Sequence, residues 1–258
     1  SSPQSKEYHL IMKRLPILVT ALIALSLSAC GSKGEGGNNS TAPTAKLAAV
    51  APPAGKKWTD VVSETADHGF VMGNPDAPIK VIEFGSFTCP HCRDFSAESA
   101  AERNAMVDTG KLSFEYRTFL RDPLDVAAAL IARCSGPEPF FPLTEQVFAN
   151  QNDMITKMQA GGDAAMAAAS TKPMNERFFA IAQLAGLIDF GKQRGISEEK
   201  AKQCLTNTKT VDALVEQVKI DTAKYNIQGT PTLVMNSAVV ENAASWDVMR
   251  AKLKEAGL

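Results

Sequence analysis

Apolar and polar residues change their period several times along this chain, and each change marks an element. Residues 78–84 form a nearly continuous apolar run of strand length, the pattern of a buried strand. From 88 to about 107 the apolar positions take helical spacing, with Gly110 just beyond the end. Residues 111–117 alternate, as in a second strand. Helical spacing then dominates. Asp122 can cap a helix over 123–134 that has Pro123 at its first position. Further helices are expected over 141–150, 175–187 and 197–205, while the Ala- and Gly-rich stretch 159–170 fits either helix or loop. A longer amphipathic helix covers 210–225. A short strand at 232–235, a turn at Asn236 and Ser237 and a partner at 238–240 make a hairpin, and a helix over 245–255 closes the chain. Strand, helix, strand, several helices, hairpin, helix is the order of an α/β layered fold with helices inserted in its middle. No internal repeat and no nucleotide-binding glycine loop interrupts it.

The first part of the chain follows another pattern. Met12, Lys13 and Arg14 are a short positive segment, followed by an almost purely apolar run over 15–27. At about 13 residues the run is shorter than the roughly 20 that a membrane span takes. Charge followed by such a run is the pattern of a secretory signal, here 12–29. Residues 1–11 are polar and read as an upstream extension, with Met12 as the natural start. Leu27, Ser28 and Ala29 lead directly into Cys30, which resembles the lipobox of bacterial lipoproteins. That resemblance implies a lipid on Cys30 and a membrane-tethered, periplasmic protein; a plain signal that precedes a cysteine is the other reading. Gly31 after Cys30 resembles outer-membrane sorting, which leaves inner and outer membrane both open. Residues 31–55 carry hardly any large apolar side chain. The segment 30–56 is therefore expected to be a disordered tether with a reach of roughly 25–30 Å, and the folded domain is expected over 57–258.

Composition narrows the chemistry. A net charge of -1 without a basic stripe argues against nucleic acid as a partner. Of the 5 cysteines, setting Cys30 aside leaves Cys89, Cys92, Cys134 and Cys204, an even set that suits an oxidising compartment. Cys89 and Cys92 fall one turn apart at the start of a helix, as a disulfide or half of a metal site would require. A zinc site needs two further ligands. Cys134 and Cys204 stand singly and the histidines are His9, His68 and His91, so no metal or dissociable cofactor is expected. A merely structural disulfide is possible at Cys89 and Cys92, but this spacing straight after a buried strand is the redox arrangement. At a helix N-terminus the free N–H groups and the helix dipole stabilise a Cys89 thiolate, which is both a nucleophile and a good leaving group. Pro90 suits the first helical turn because it has no N–H to leave unpaired. His91 can add positive charge or a hydrogen bond, or can be a bystander on an exposed turn. Cys92, one turn deeper, takes the part of the resolving thiol.

The segment Phe84, Gly85, Ser86, Phe87, Thr88, Cys89, Pro90, His91, Cys92 closely resembles the active-site segment of DsbA-like oxidoreductases of the thioredoxin superfamily, in which Pro-His is the typical pair between the cysteines. Gly229, Thr230, Pro231 and Thr232 are similar to the superfamily's cis-proline loop. The resemblance covers roughly 58–258 and makes about 122–190 the family's helical insertion. It implies that Pro231 faces the cysteine pair and that the Thr230 backbone pairs with an extended substrate peptide. It matches Glu83 to a buried acid able to move the proton of Cys92, although a surface strand residue is the alternative. Some relatives join comparable helices by a second disulfide, which would here link Cys134 to Cys204. Closing a loop of about 70 residues would give roughly 4 kcal/mol in the chain-entropy model. A redox-modulating bond, or two buried free thiols, are the other readings. The implied activity is disulfide introduction into unfolded, exported, cysteine-containing proteins, with reoxidation by a DsbB-like membrane partner. Thr230 stands where the best-known oxidases have Val, which keeps an isomerase or reductase open. A peptide-binding chaperone lipoprotein is a third reading.

Overall fold

The computed structural model describes residues 47–258. The readings of the upstream extension, the signal, Cys30 and most of the tether lie outside these residues. The rest forms one sheet with helices packed on it. The central strand is β3 (Ile79–Gly85), parallel to β4 (Leu112–Thr118) and antiparallel to β5 (Thr232–Met235). A strand paired on both edges within a covered sheet is mostly apolar on both sides, which explains a run interrupted only by Lys80 and Glu83. Two further strands, β1 (Val62–Glu64) and β2 (Phe70–Gly73), continue the sheet beyond β4, and β6 (Ala238–Val239) ends it beyond β5, in the order β1-β2-β4-β3-β5-β6. β1 and β2 are additions to the sequence reading. β1 is three residues long and largely exposed, too short to show a period.

Helix α1 (Pro90–Asp108) follows β3 and lies against the last helix, α9 (Trp246–Glu255), where Phe95 meets Trp246 edge to face with ring centres 6.0 Å apart. Between β4 and β5 run α2 (Pro123–Arg133), α3 (Phe140–Ala149), α4 (Gln151–Ser170), α5 (Met174–Leu184), α6 (Leu187–Lys192), α7 (Glu198–Leu205) and α8 (Thr208–Tyr225). Buried continuously from Leu124 to Ala132, α2 is the hub of this region. Its three consecutive alanines, Ala127 to Ala129, let neighbouring helices approach closely. Asp122 caps α2 as expected, accepting from the Asp125 N–H at 2.9 Å.

Several boundaries differ from the sequence reading. The ambiguous stretch 159–170 is the second half of α4, kinked at Gly162, whose φ of 77° lies in the left-handed region. The expected helix 175–187 ends at Leu184, because Gly186 turns the chain at φ 70° and α6 starts anew. Ordered chain also begins before the expected 57. The Leu47 N–H donates to Gly257 O, the Val50 N–H to Thr109 O, and the Trp58 indole to Val50 O. These bonds and the packing of Leu47 against the core tie down residues composed like a tether.

Candidate active site

β3 delivers the chain to the site through a tight loop. Gly85 is obligatory there: a Cβ would stand 2.5 Å from the Tyr116 ring and 3.0 Å from Glu83 Oε1. After it, the Cys89 N–H donates to Ser86 O at 3.1 Å and closes a turn. Phe87 is wholly buried and packs on Tyr116 and Phe148. Cys89 is the N-cap residue of α1 with extended backbone, and Pro90 occupies the first turn. Both thiols are free. The ionised Cys89 is favoured chiefly by a hydrogen bond from the Cys92 thiol, then by the Thr230 side chain and the N–H groups of Cys92 and His91; together these outweigh burial and lower its pKa to about 4. Cys92 is fully buried, receives the Ser86 N–H at 3.5 Å, and is pushed far above the ordinary thiol range by burial. One thiol is thus held as thiolate and the other as thiol.

The residues singled out by sequence gather here. Thr230 and Pro231, joined by a cis peptide bond, bring the Thr230 carbonyl oxygen to 3.2 Å from Cys89 Sγ. Cys89, His91, Arg121, Gln228 and Thr230 line a crevice of about 460 Å³. The His91 side chain is exposed at its rim. Glu83 is buried beneath the pair on β3, not on a surface, and burial raises its carboxyl to about 8, opposed by the charge of Arg103. Its Oε1 has no hydrogen-bond partner, nor has the hydroxyl of Tyr116, its register partner on β4. Cys134 and Cys204 lie away from the pair and are bonded, S–S 2.02 Å, joining the end of α2 to α7. Among the described residues, no group of three or more His, Cys, Asp or Glu gathers to hold a metal ion.

Two site residues escaped the sequence reading. Asp125 on α2 is fully buried and accepts from Ser86 Oγ at 2.5 Å, the Phe87 N–H at 2.8 Å and the Arg121 N–H at 3.1 Å. Gln151, at the start of α4, donates to Phe87 O at 2.8 Å and Cys89 O at 2.9 Å. An acid in a first helical turn reads as a complement to the helix dipole, and a lone Gln carries no signal.

The chain has relatives of known description. A Rickettsia bellii protein named as a protein-disulfide oxidoreductase is 26% identical over 187 residues, which are 72% of this chain and 64% of that protein. The chain thus spans less than two thirds of that relative's length. Disulfide bond formation protein D of Bacillus subtilis is 24% identical over 190 residues, 72% of this chain and 75% of that protein. The crystal structure of a protein-disulfide isomerase from Novosphingobium aromaticivorans superposes with a TM-score of 0.68 at 28% identity, covering 75% of this chain and 97% of that one. Wolbachia pipientis alpha-DsbA1 shares the fold, with a TM-score of 0.58 at 19% identity over 72% of this chain and 89% of that one. The thioredoxin family model matches residues 65–255, from before β2 to the end of α9, and so the chain belongs to the thioredoxin family.

Proposed function

We propose that this protein is a thiol:disulfide oxidoreductase that introduces disulfides into unfolded, exported, cysteine-containing proteins. The observation that carries the reading is the asymmetry of the pair: Cys89 is held as thiolate at a helix N-terminus beside the cis-proline loop, while Cys92 is buried as thiol. A substrate thiolate attacks Cys89 Sγ of the Cys89–Cys92 disulfide. The S–S bond breaks, a mixed disulfide forms through Cys89, and Cys92 departs with the electron pair. Glu83, protonated at neutral pH because its pKa is near 8, is the proton donor within the protein interior that keeps Cys92 from leaving as a buried anion. The second substrate thiolate then attacks the first substrate sulfur in the mixed disulfide, a substrate disulfide forms, and Cys89 leaves as the stabilised thiolate. Two electrons pass from substrate to protein. The disulfide is itself the oxidant, so the reading needs no dissociable cofactor.

In this reading a DsbB-like membrane partner takes the two electrons and restores the disulfide. The lipobox resemblance at Cys30 supports a periplasmic, lipid-anchored location. Thiolate stabilisation favours the reduced protein and so makes the disulfide a strong oxidant. Refolding of reduced ribonuclease tests this: the oxidised protein should restore activity stoichiometrically, and Cys89→Ser should not. A second reading is isomerase or reductase. It is favoured by Thr230 before Pro231 and by the name of the Novosphingobium structure. Insulin reduction set beside the refolding of scrambled ribonuclease separates the two directions.

A further inference from the structure

The loop that presents the cysteine pair is held from outside the thioredoxin core. Its backbone groups from Ser86 to Cys89 have few partners of their own: the Ser86 N–H points at Cys92 Sγ, and the Cys89 N–H closes the turn on Ser86 O. The Thr88 N–H reaches the Ser86 hydroxyl and Cys89 O also accepts the Arg93 N–H, while the Phe87 N–H and carbonyl are taken by two buried side chains of the helical insertion. Asp125, on α2, receives the Phe87 N–H and the Ser86 hydroxyl. Gln151, on α4, gives both its amide hydrogens to Phe87 O and Cys89 O. Phe87 is therefore gripped from opposite sides through its N–H and its carbonyl. The two side chains are fixed in turn: Asp125 also takes the Arg121 N–H, and Gln151 is 1% exposed.

Resting on the oxidoreductase reading, we propose that Asp125 and Gln151 are positioning residues for the cysteine pair, a clasp through which the helical insertion sets the redox behaviour of Cys89 and Cys92. The route is short. The clasp fixes Ser86, whose N–H meets Cys92 Sγ, and the Cys92 thiol is the leading hydrogen-bond donor to the Cys89 thiolate. If the loop relaxes, Cys92 shifts and Cys89 loses that donor. The insertion is then part of the redox centre as well as a cover over it.

The test is titration of the Cys89 thiolate by absorbance at 240 nm, with the equilibrium constant against glutathione, in the whole protein and in Asp125→Asn and Gln151→Ala. Either variant should raise the Cys89 pKa by about one unit and shift the glutathione equilibrium roughly tenfold toward the disulfide form. Burial raises the Asp125 carboxyl to about 7, so it is already neutral where Cys89 titrates near 4 and Asp125→Asn removes no charge there; release of the loop raises the Cys89 pKa, and Gln151→Ala changes no charge either. A merely structural role lowers the melting temperature and leaves both redox readings at their parent values. That result, or a lowered pKa in Asp125→Asn with no change in Gln151→Ala, overturns the inference. Should Asp125→Asn not fold, Ser86→Ala cuts one bond of the same clasp and is read the same way. Failure of the underlying reading looks different: the parent protein itself would then show an ordinary cysteine titration.

Discussion

At the scale of single residues, the site is an arrangement of protons. Glu83 is held neutral by burial, and its folded pKa of about 8 lies above the ordinary value of 4.5. A raised pKa contributes stability that is fully present below the unfolded value and lost as pH rises through the folded one. Between pH 4.5 and 8 the fold therefore weakens progressively on account of this carboxyl. Glu83→Gln should remove the effect. Urea unfolding should show the variant more stable by on the order of 2–3 kcal/mol at pH 7 and little different at pH 4, while single-turnover oxidation of a dithiol peptide slows. The opposite sign applies to Cys89. Its pKa is lowered from 9.0 to about 4, so its contribution to the reduced protein is present above pH 9 and lost as pH falls through 4. The stability of the reduced form relative to the oxidised form should shrink across that window, as paired denaturation curves would reveal. Cys92→Ser keeps the attacking group and removes the resolving one. Given a disulfide-bonded peptide, its Cys89 thiolate should break the peptide's S–S bond, release one peptide thiolate and accumulate a mixed disulfide, visible on a non-reducing gel and absent from the Cys89, Cys92 double serine variant.

At the scale of elements, the chain announces most of what it builds. The long apolar run of β3, the proline and cap of α2 and the hairpin of β5 and β6 follow from local patterns that tertiary contacts only reinforce. The cysteine motif was legible because a helix start directly after a buried strand admits few chemistries. β1 and β2 were not legible, since a three- or four-residue strand has too few positions to display a period. Asp125 and Gln151 were hidden for another reason: their partners are backbone groups 38 and 64 residues away, at Phe87, and no side-chain identity encodes such a bond. The bond between Cys134 and Cys204 ties α2 to α7 across 70 residues. Replacing both by Ala should cost about 4 kcal/mol on the chain-entropy account, read as a melting temperature lower by roughly 10 °C. If the bond is structural, the titration of Cys89 should not move with it.

At the scale of the whole molecule, the sheet, the insertion and the cis-proline loop converge on one cysteine pair. β3 and α1 hold the cysteines, β5 supplies Thr230 and Pro231 from the preceding loop, and α2 and α4 grip the loop in between. The Cys92 thiol, the Thr230 side chain and the N–H groups of Cys92 and His91 favour the reduced, ionised form of Cys89. The central claim is that the pair is consequently an oxidant, and its reduction potential measures that most directly. Equilibration of the whole protein with glutathione buffers at pH 7 should give a value well above thioredoxin's, in the range of about -120 to -180 mV. A value at or below about -270 mV would mean that the pair donates electrons as thioredoxin does, and would contradict the account.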